Sequence, residues 1–72
     1  MTAEEAMTVV KGNGYSLILK DRDFHIDPPD GLDKIGAFHI LSGGIFRGSL
    51  VILESHGGVI LDGFRLPLLS WL

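Results

Sequence analysis

Three histidines and one nearby aspartate are the residues of this 72-residue chain that could bind a transition metal. His25, His39, His56 and Asp27 carry imidazole and carboxylate groups, which are ligands that Zn²⁺ accepts in proteins. Zinc ligands usually recur at short fixed spacings, and these residues share no such spacing. The chain also contains no cysteine, which excludes thiolate sites and disulfides. The sequence therefore predicts no metal site, and a small His/Asp metal-binding protein is kept as an alternative.

Aspartates are crowded between residues 21 and 33, and their carboxylates could bind Ca²⁺. These residues are Asp21, Asp23, Asp27, Asp30 and Asp33. A calcium loop that begins at Asp21 needs a glycine at its sixth position and a glutamate at its twelfth. The chain has Ile26 and Leu32 at those positions. We therefore interpret the aspartates as solvated residues of turns.

Serine and histidine lie near each other twice, as the neighbours Ser55 and His56 and as Ser42 close to His39. A nucleophile and its base are defined by their geometry in the fold and not by proximity in sequence. The chain has no Gly-x-Ser-x-Gly motif and no glycine-rich phosphate loop that leads into a helix. We therefore expect a protein that is not an enzyme and that uses no cofactor.

Two glycine pairs indicate how the second half of the chain is arranged. Gly43-Gly44 and Gly57-Gly58 favour sharp turns, because glycine accepts positive φ angles without strain. Gly48 lies between them and indicates a bend in a strand. The pattern predicts a meander of antiparallel strands over residues 37–41, 45–55 and 59–62.

In the first half of the chain, apolar runs at residues 7–11 and 15–20 flank Gly12-Asn13-Gly14, which predicts a hairpin. A short strand is expected over residues 24–26, followed by a loop at Pro28-Pro29.

Thr2 and Glu5 match a capping box that could begin one helical turn. Val9, Val10 and Gly12 disfavour a longer helix, so we expect residues 1–6 to be a flexible N-terminal arm.

Together these signals predict one all-β domain over residues 1–72. It would be a small bent barrel or sandwich of about five or six short antiparallel strands.

The composition favours association with other proteins. Apolar residues make up 46% of the chain, and a domain of this size has too little interior to bury them all. The net charge is −3 and the six cations are scattered, which disfavours nucleic-acid binding. We expect neither a secretion signal nor a membrane span, because no cationic leader and no long apolar run occurs. The expected location is the cytoplasm or a multi-protein particle.

The C-terminal segment, residues 64–72, is unusually apolar for the end of a chain. We call it the C-terminal arm. Its Pro67 excludes a central strand. Docking on a partner or on a second copy is therefore expected, and packing on its own sheet is the alternative. The expected interface residues are Phe64, Leu66, Leu68, Leu69, Trp71 and Leu72.

Residues 41–62 resemble the first signature of the Sm/LSm family, whose small barrels assemble into RNA-binding rings. The positions that match are Gly43, Gly48, Leu50 and Glu54, followed by the apolar run 59–61. Gly58 stands where the family has an asparagine that contacts bases. The resemblance implies a ring-forming RNA-binding module, which is kept as an alternative.

The function that the sequence predicts is that of a non-catalytic structural or interaction subunit. It would form a homo-oligomer or dock on a larger assembly, such as a virion or another multi-protein particle.

Overall fold

The computed structural model describes residues 1–68, which form three helices and four short strands. In chain order these are α1 (Ala3–Gly12), β1 (Ser16–Lys20), β2 (Asp23–Asp27), α2 (Lys34–Leu41), α3 (Gly44–Glu54), β3 (Val59–Leu61) and β4 (Phe64–Arg65). The predicted all-β barrel or sandwich is therefore wrong. The fold is mixed, with helices beside one open sheet.

The four strands form a single sheet in the order β1-β2-β3-β4. β1 and β2 are an antiparallel hairpin, whose two-residue turn places Asp21 and Arg22 at positive φ. β3 then pairs parallel to β2, and β4 returns antiparallel to β3. The parallel pair needs a long crossover connection. α2 and α3 supply it.

The core lies between the helices and one face of this sheet. The strands alternate, so that Leu17, Phe24, Ile26, Val59 and Leu61 point to the buried side. α1 packs against α3 and against β1, and α2 packs against α3. A single apolar cluster joins the three helices to the sheet.

Residues 45–55 were predicted to be the long middle strand of the meander, and they form most of α3. Ser49, Leu50 and Leu53 are its buried residues, and this spacing is that of one helix face and not the alternation of a strand. The sequence-based error came from giving more weight to the two glycine pairs and Gly48 than to this spacing. Gly43 is the N-cap of α3, and Gly44 has a φ of +59°.

Residues 37–41 were also predicted to be a strand, and they lie in α2. The helix begins after Asp33, whose Oδ1 accepts a hydrogen bond of 2.6 Å from the N–H of Gly36. This is an N-cap, which satisfies one of the free N–H groups of the first turn. The helix has apolar side chains on every side, so no periodicity distinguished it from a buried strand in the sequence.

Residues 7–11 were predicted to be a strand and residues 1–6 a flexible arm. The structure places residues 3–12 in α1. Its capping box is complete: Thr2 N–H donates to Glu5 Oε1 at 2.8 Å, and Glu5 N–H donates to Thr2 Oγ1 at 3.1 Å. Ala6 and Val10 lie one turn apart and are fully buried. Their burial outweighs the modest helix propensity of the valines.

Replacing the cap of α1 should destabilise the protein measurably. Thr2→Ala removes one half of the capping box, and we expect the free energy of unfolding to fall by about 1 kcal/mol. Thr8→Ala is the matched control, because the Thr8 hydroxyl bonds back to the Glu4 carbonyl within the helix. We expect the control to unfold at the wild-type urea concentration or slightly above it. An equal loss in both variants would show that the cap does not anchor the helix.

Candidate interaction surface

The histidines that suggested a metal site are dispersed over the structure. His25 lies on β2, His39 on α2, and His56 in the turn after α3. Within residues 1–68, no three His, Asp or Glu side chains come close enough together to hold a metal ion. The structure thus assembles no set of three candidate ligands in the part of the chain that it describes.

Ser55 and His56 do contact each other, with 3.0 Å between Oγ and Nδ1. Both also bond the same carbonyl, that of Ile52 on the last turn of α3. The Ser55 hydroxyl has one proton and donates it to this carbonyl, so in the contact with His56 the serine Oγ is the acceptor and Nδ1–H is the donor. In this arrangement Nδ1 does not act as a base towards the Ser55 hydroxyl. The two side chains provide hydrogen-bond partners for a carbonyl at the C-terminal end of α3, and both residues are exposed.

Three of the five crowded aspartates lie in different structural elements and have different roles. Asp21 lies in the turn between β1 and β2, and Asp33 caps α2. Asp23 binds two distant parts of the chain, as described below. These separate positions explain why the aspartates follow one another in sequence without forming a calcium loop.

The Asp23 carboxylate links three strands. Its Oδ1 accepts a hydrogen bond of 3.0 Å from Gly58 N–H, just before β3, and its Oδ2 lies 3.0 Å from Arg65 Nη2 on β4. A Cβ on Gly58 would meet the Arg65 guanidinium and lie 2.6 Å from Asp23 Oδ1. A Cβ on Gly57 would collide with the Arg22 carbonyl. The second glycine pair therefore permits close approach of the chain to β2.

An open apolar groove of about 290 Å³ lies between α2 and the β4 edge of the sheet. Its α2 wall consists of Lys34, Ile35 and Phe38. The floor and the opposite wall consist of Leu61, Phe64, Arg65, Leu66 and Pro67. Most of these side chains are apolar, and both charged members are cations.

The rim of this groove exposes large apolar side chains. Ile35 is 78% exposed and Phe64 is 60% exposed, on opposite walls. Lys34 Nζ lies 3.5 Å from the centre of the Phe64 ring, a cation–π contact that holds the two walls together at one end. The other cation, Arg65, is paired with the Asp23 carboxylate and stands in register with Ile60, so Lys34 is the groove cation that has no ion-pair partner among residues 1–68.

The C-terminal arm is divided between the core and the surface. Leu66 and Leu68 are buried against the chain itself, whereas Phe64 is exposed beside the groove. Leu69, Trp71 and Leu72 lie outside the described residues, and their expected role in an interface stays a prediction.

Sequence reasoning missed the α2 wall of the groove. Its three residues were assigned to a connecting loop and a strand, so nothing indicated that Ile35 and Phe38 share a surface with Phe64. The signal that could have revealed it is Asp33 followed by Gly36, which is compatible with an N-cap before an apolar helix.

The residues that resembled the Sm/LSm signature lie mainly on α3. Gly48, Leu50 and Glu54 are helical, and only the apolar run at the end of the signature forms a strand. The resemblance and the RNA-binding function that it implies stay predictions.

In the described part of the chain, no single helix has the length and apolar composition needed to cross a membrane. α2 and α3 meet these two criteria only when they are taken together, and they are bent by 91° relative to each other. Comparison with models of protein families, with curated proteins and with solved structures gave no match.

The buried part of the arm should stabilise the domain itself. Leu68→Ala removes a fully buried side chain, and we expect it to lower the free energy of unfolding by about 2–5 kcal/mol. Phe64→Ala, which shortens an exposed side chain of the same segment, should cost far less. Urea unfolding of both variants checks this. If Leu68→Ala is as stable as Phe64→Ala, the arm is not part of the core.

The Asp23 bridge should make stability depend on acidic pH. The hydrogen bond from the Arg65 side chain is the main cause that holds the Asp23 pKa below its ordinary value, and the Gly58 N–H acts in the same direction. A carboxylate with a lowered pKa stabilises the fold above its unfolded-state pKa of about 4. This stabilisation is lost as the pH falls through the folded-state pKa.

Asp23→Asn should therefore reduce the loss of stability between neutral and acidic pH. Arg65→Gln, which removes the partner of this carboxylate, should also reduce it. The measurement is the urea midpoint between pH 2 and pH 7. A profile for Asp23→Asn that is as steep as that of the wild type would contradict the bridge.

Proposed function

We propose that this protein is a non-catalytic interaction subunit that holds an apolar segment of a partner protein in the groove between α2 and β4. The observation that carries this proposal is the pair of opposed apolar walls, with Ile35 and Phe64 largely exposed on either side of an open groove. Contiguous apolar surface on a small domain marks a site of association.

The composition of α2 supports this function. Ala37 and Leu41 bury one side of the helix against the core, yet Ile35, Phe38 and Ile40 remain exposed on its other sides. A helix that is apolar all round is normally buried all round. Covering this surface by a partner removes the exposed apolar area from water, which is the main driving force for association.

The charges of the groove indicate the chemistry of the partner. The described residues place no carboxylate at ion-pair distance from Lys34, and its ammonium group lies over the Phe64 ring. An acidic side chain of a bound segment could pair with this ammonium group at the rim. We therefore propose a partner segment that combines large apolar residues with at least one carboxylate.

The β4 edge favours docking through side chains over the addition of a strand. β4 has only two residues, and Pro67 follows it closely with no N–H to donate. Insertion of apolar side chains between the walls fits this arrangement better than main-chain pairing does. Whether the assembly is an oligomer or a larger particle such as a virion stays a prediction, as does the docking of residues 69–72.

Selection of random 12-residue peptides on the immobilised protein tests the proposal. We expect the enriched peptides to combine Leu, Phe or Trp with Asp or Glu. Ile35→Ser and Phe64→Ser should each weaken their binding at least about tenfold, because hot-spot side chains dominate such interfaces. Lys34→Gln should weaken acidic peptides and remove much of the salt dependence.

Ile45→Ser is the matched control. Ile45 is 61% exposed on α3 but does not line the groove. Peptides that bind both groove variants as tightly as the wild type would contradict the proposal, as would an equal loss of binding in the Ile45→Ser control.

A further inference from the structure

We propose that β1 is a second interaction surface, and that it pairs antiparallel with β1 of a second copy of this chain. β1 stands at one end of the sheet and contributes five residues to its edge. The opposite edge, β4, has two residues and is followed by Pro67. Of the two edges in the described residues, only β1 is long enough to extend the sheet by several residues.

The hydrogen bonds of β2 show where the free groups of β1 point. Phe24 donates its N–H to the Gly58 carbonyl at 2.7 Å, and the Ile26 carbonyl accepts from the turn after β3 at 2.9 Å. These groups are directed away from β1. Leu19 and Leu17 stand opposite Phe24 and Ile26 in the register. Because bonded and non-bonded pairs alternate, the N–H and C=O groups of these leucines point to the open edge.

The strand is complementary to itself in one register. A two-fold axis that passes beside Ile18 places Leu17 opposite Leu19 of the second copy, and Leu19 opposite Leu17. Each of these pairs can exchange both main-chain hydrogen bonds, because all the groups involved face the edge. Ser16 then stands opposite Lys20, so no like charges face each other across the pair.

The side chains also favour this pairing. Ile18 is 59% exposed and Leu19 is 64% exposed, which is unusual for the edge of a stable sheet. On the face of the sheet opposite the core, Ile18 is the first residue of a cross-strand row that continues through His25 and Ile60 to Arg65, which we call the outward row. In the dimer, Ile18 packs on Ile18 of the second copy as a close non-hydrogen-bonded pair. The outward row then continues from one copy into the other.

The expected dimer is weak. Its short edge buries less than the roughly 1,200 Å² that stable interfaces exceed. Covalent capture is therefore the appropriate test. The chain has no cysteine, so an introduced thiol is the only one present.

Ile18→Cys and Leu19→Cys form a matched pair of variants for this test, because their side chains are neighbours with similar exposure. In the proposed register the two Ile18 Cα atoms lie about 4.5 Å apart, within reach of a disulfide. The two Leu19 Cα atoms are offset along the strands by two residues and lie more than about 7 Å apart, beyond that reach. Reactivity of each thiol towards a soluble disulfide reagent corrects for differences in access.

With equal protein concentrations and mild oxidation, we expect Ile18→Cys to form the disulfide dimer at least about tenfold faster than Leu19→Cys. Phe64→Ser combined with Ile18→Cys should cross-link equally fast, because the α2–β4 groove takes no part. Equal rates for the two cysteine variants would overturn the proposal. So would faster cross-linking of Leu19→Cys, or cross-linking of Ile18→Cys that disappears with Phe64→Ser.

Discussion

The parallel pairing of β2 with β3 is the constraint on which the rest of the structure depends. Because parallel neighbours require a crossover, residues 34–54 must leave the sheet and return to it, and they do so as two helices. Asp23 holds the start of β3 beside β2 and also holds Arg65 on β4. The same carboxylate thus fixes both the crossover and the strand that forms one wall of the groove.

The small size of the domain explains why so much apolar surface is left over. α1, α3 and one face of the sheet enclose the core, and α2 contributes only one side to it. The elements formed by residues 1–68 leave Ile35 and Phe64 largely exposed, because a domain of this size has little interior. The proposed binding of a partner segment thus follows from the shortage of interior that the composition already indicated.

The sequence correctly predicted those features of the fold that depend on only a few adjacent residues. The strands expected near residues 15–20, 24–26 and 59–62 and the loop at Pro28-Pro29 are confirmed. α2 was missed because its apolar side chains lie on every side, so that its pattern resembles that of a buried strand. α3 was missed although its buried residues follow the spacing of a helix face. The groove was missed with them, because it exists only where α2 meets β4.

One nuclear Overhauser spectrum of the labelled protein tests the parallel crossover most directly. The account predicts continuous amide-to-amide contacts through residues 44–54, together with cross-strand contacts that place Phe24 beside Val59 and Ile26 beside Leu61. Cross-strand contacts between residues 37–41 and residues 45–55, as in an antiparallel meander, would contradict it. That result would remove the α2 wall and, with it, the structural basis of the groove.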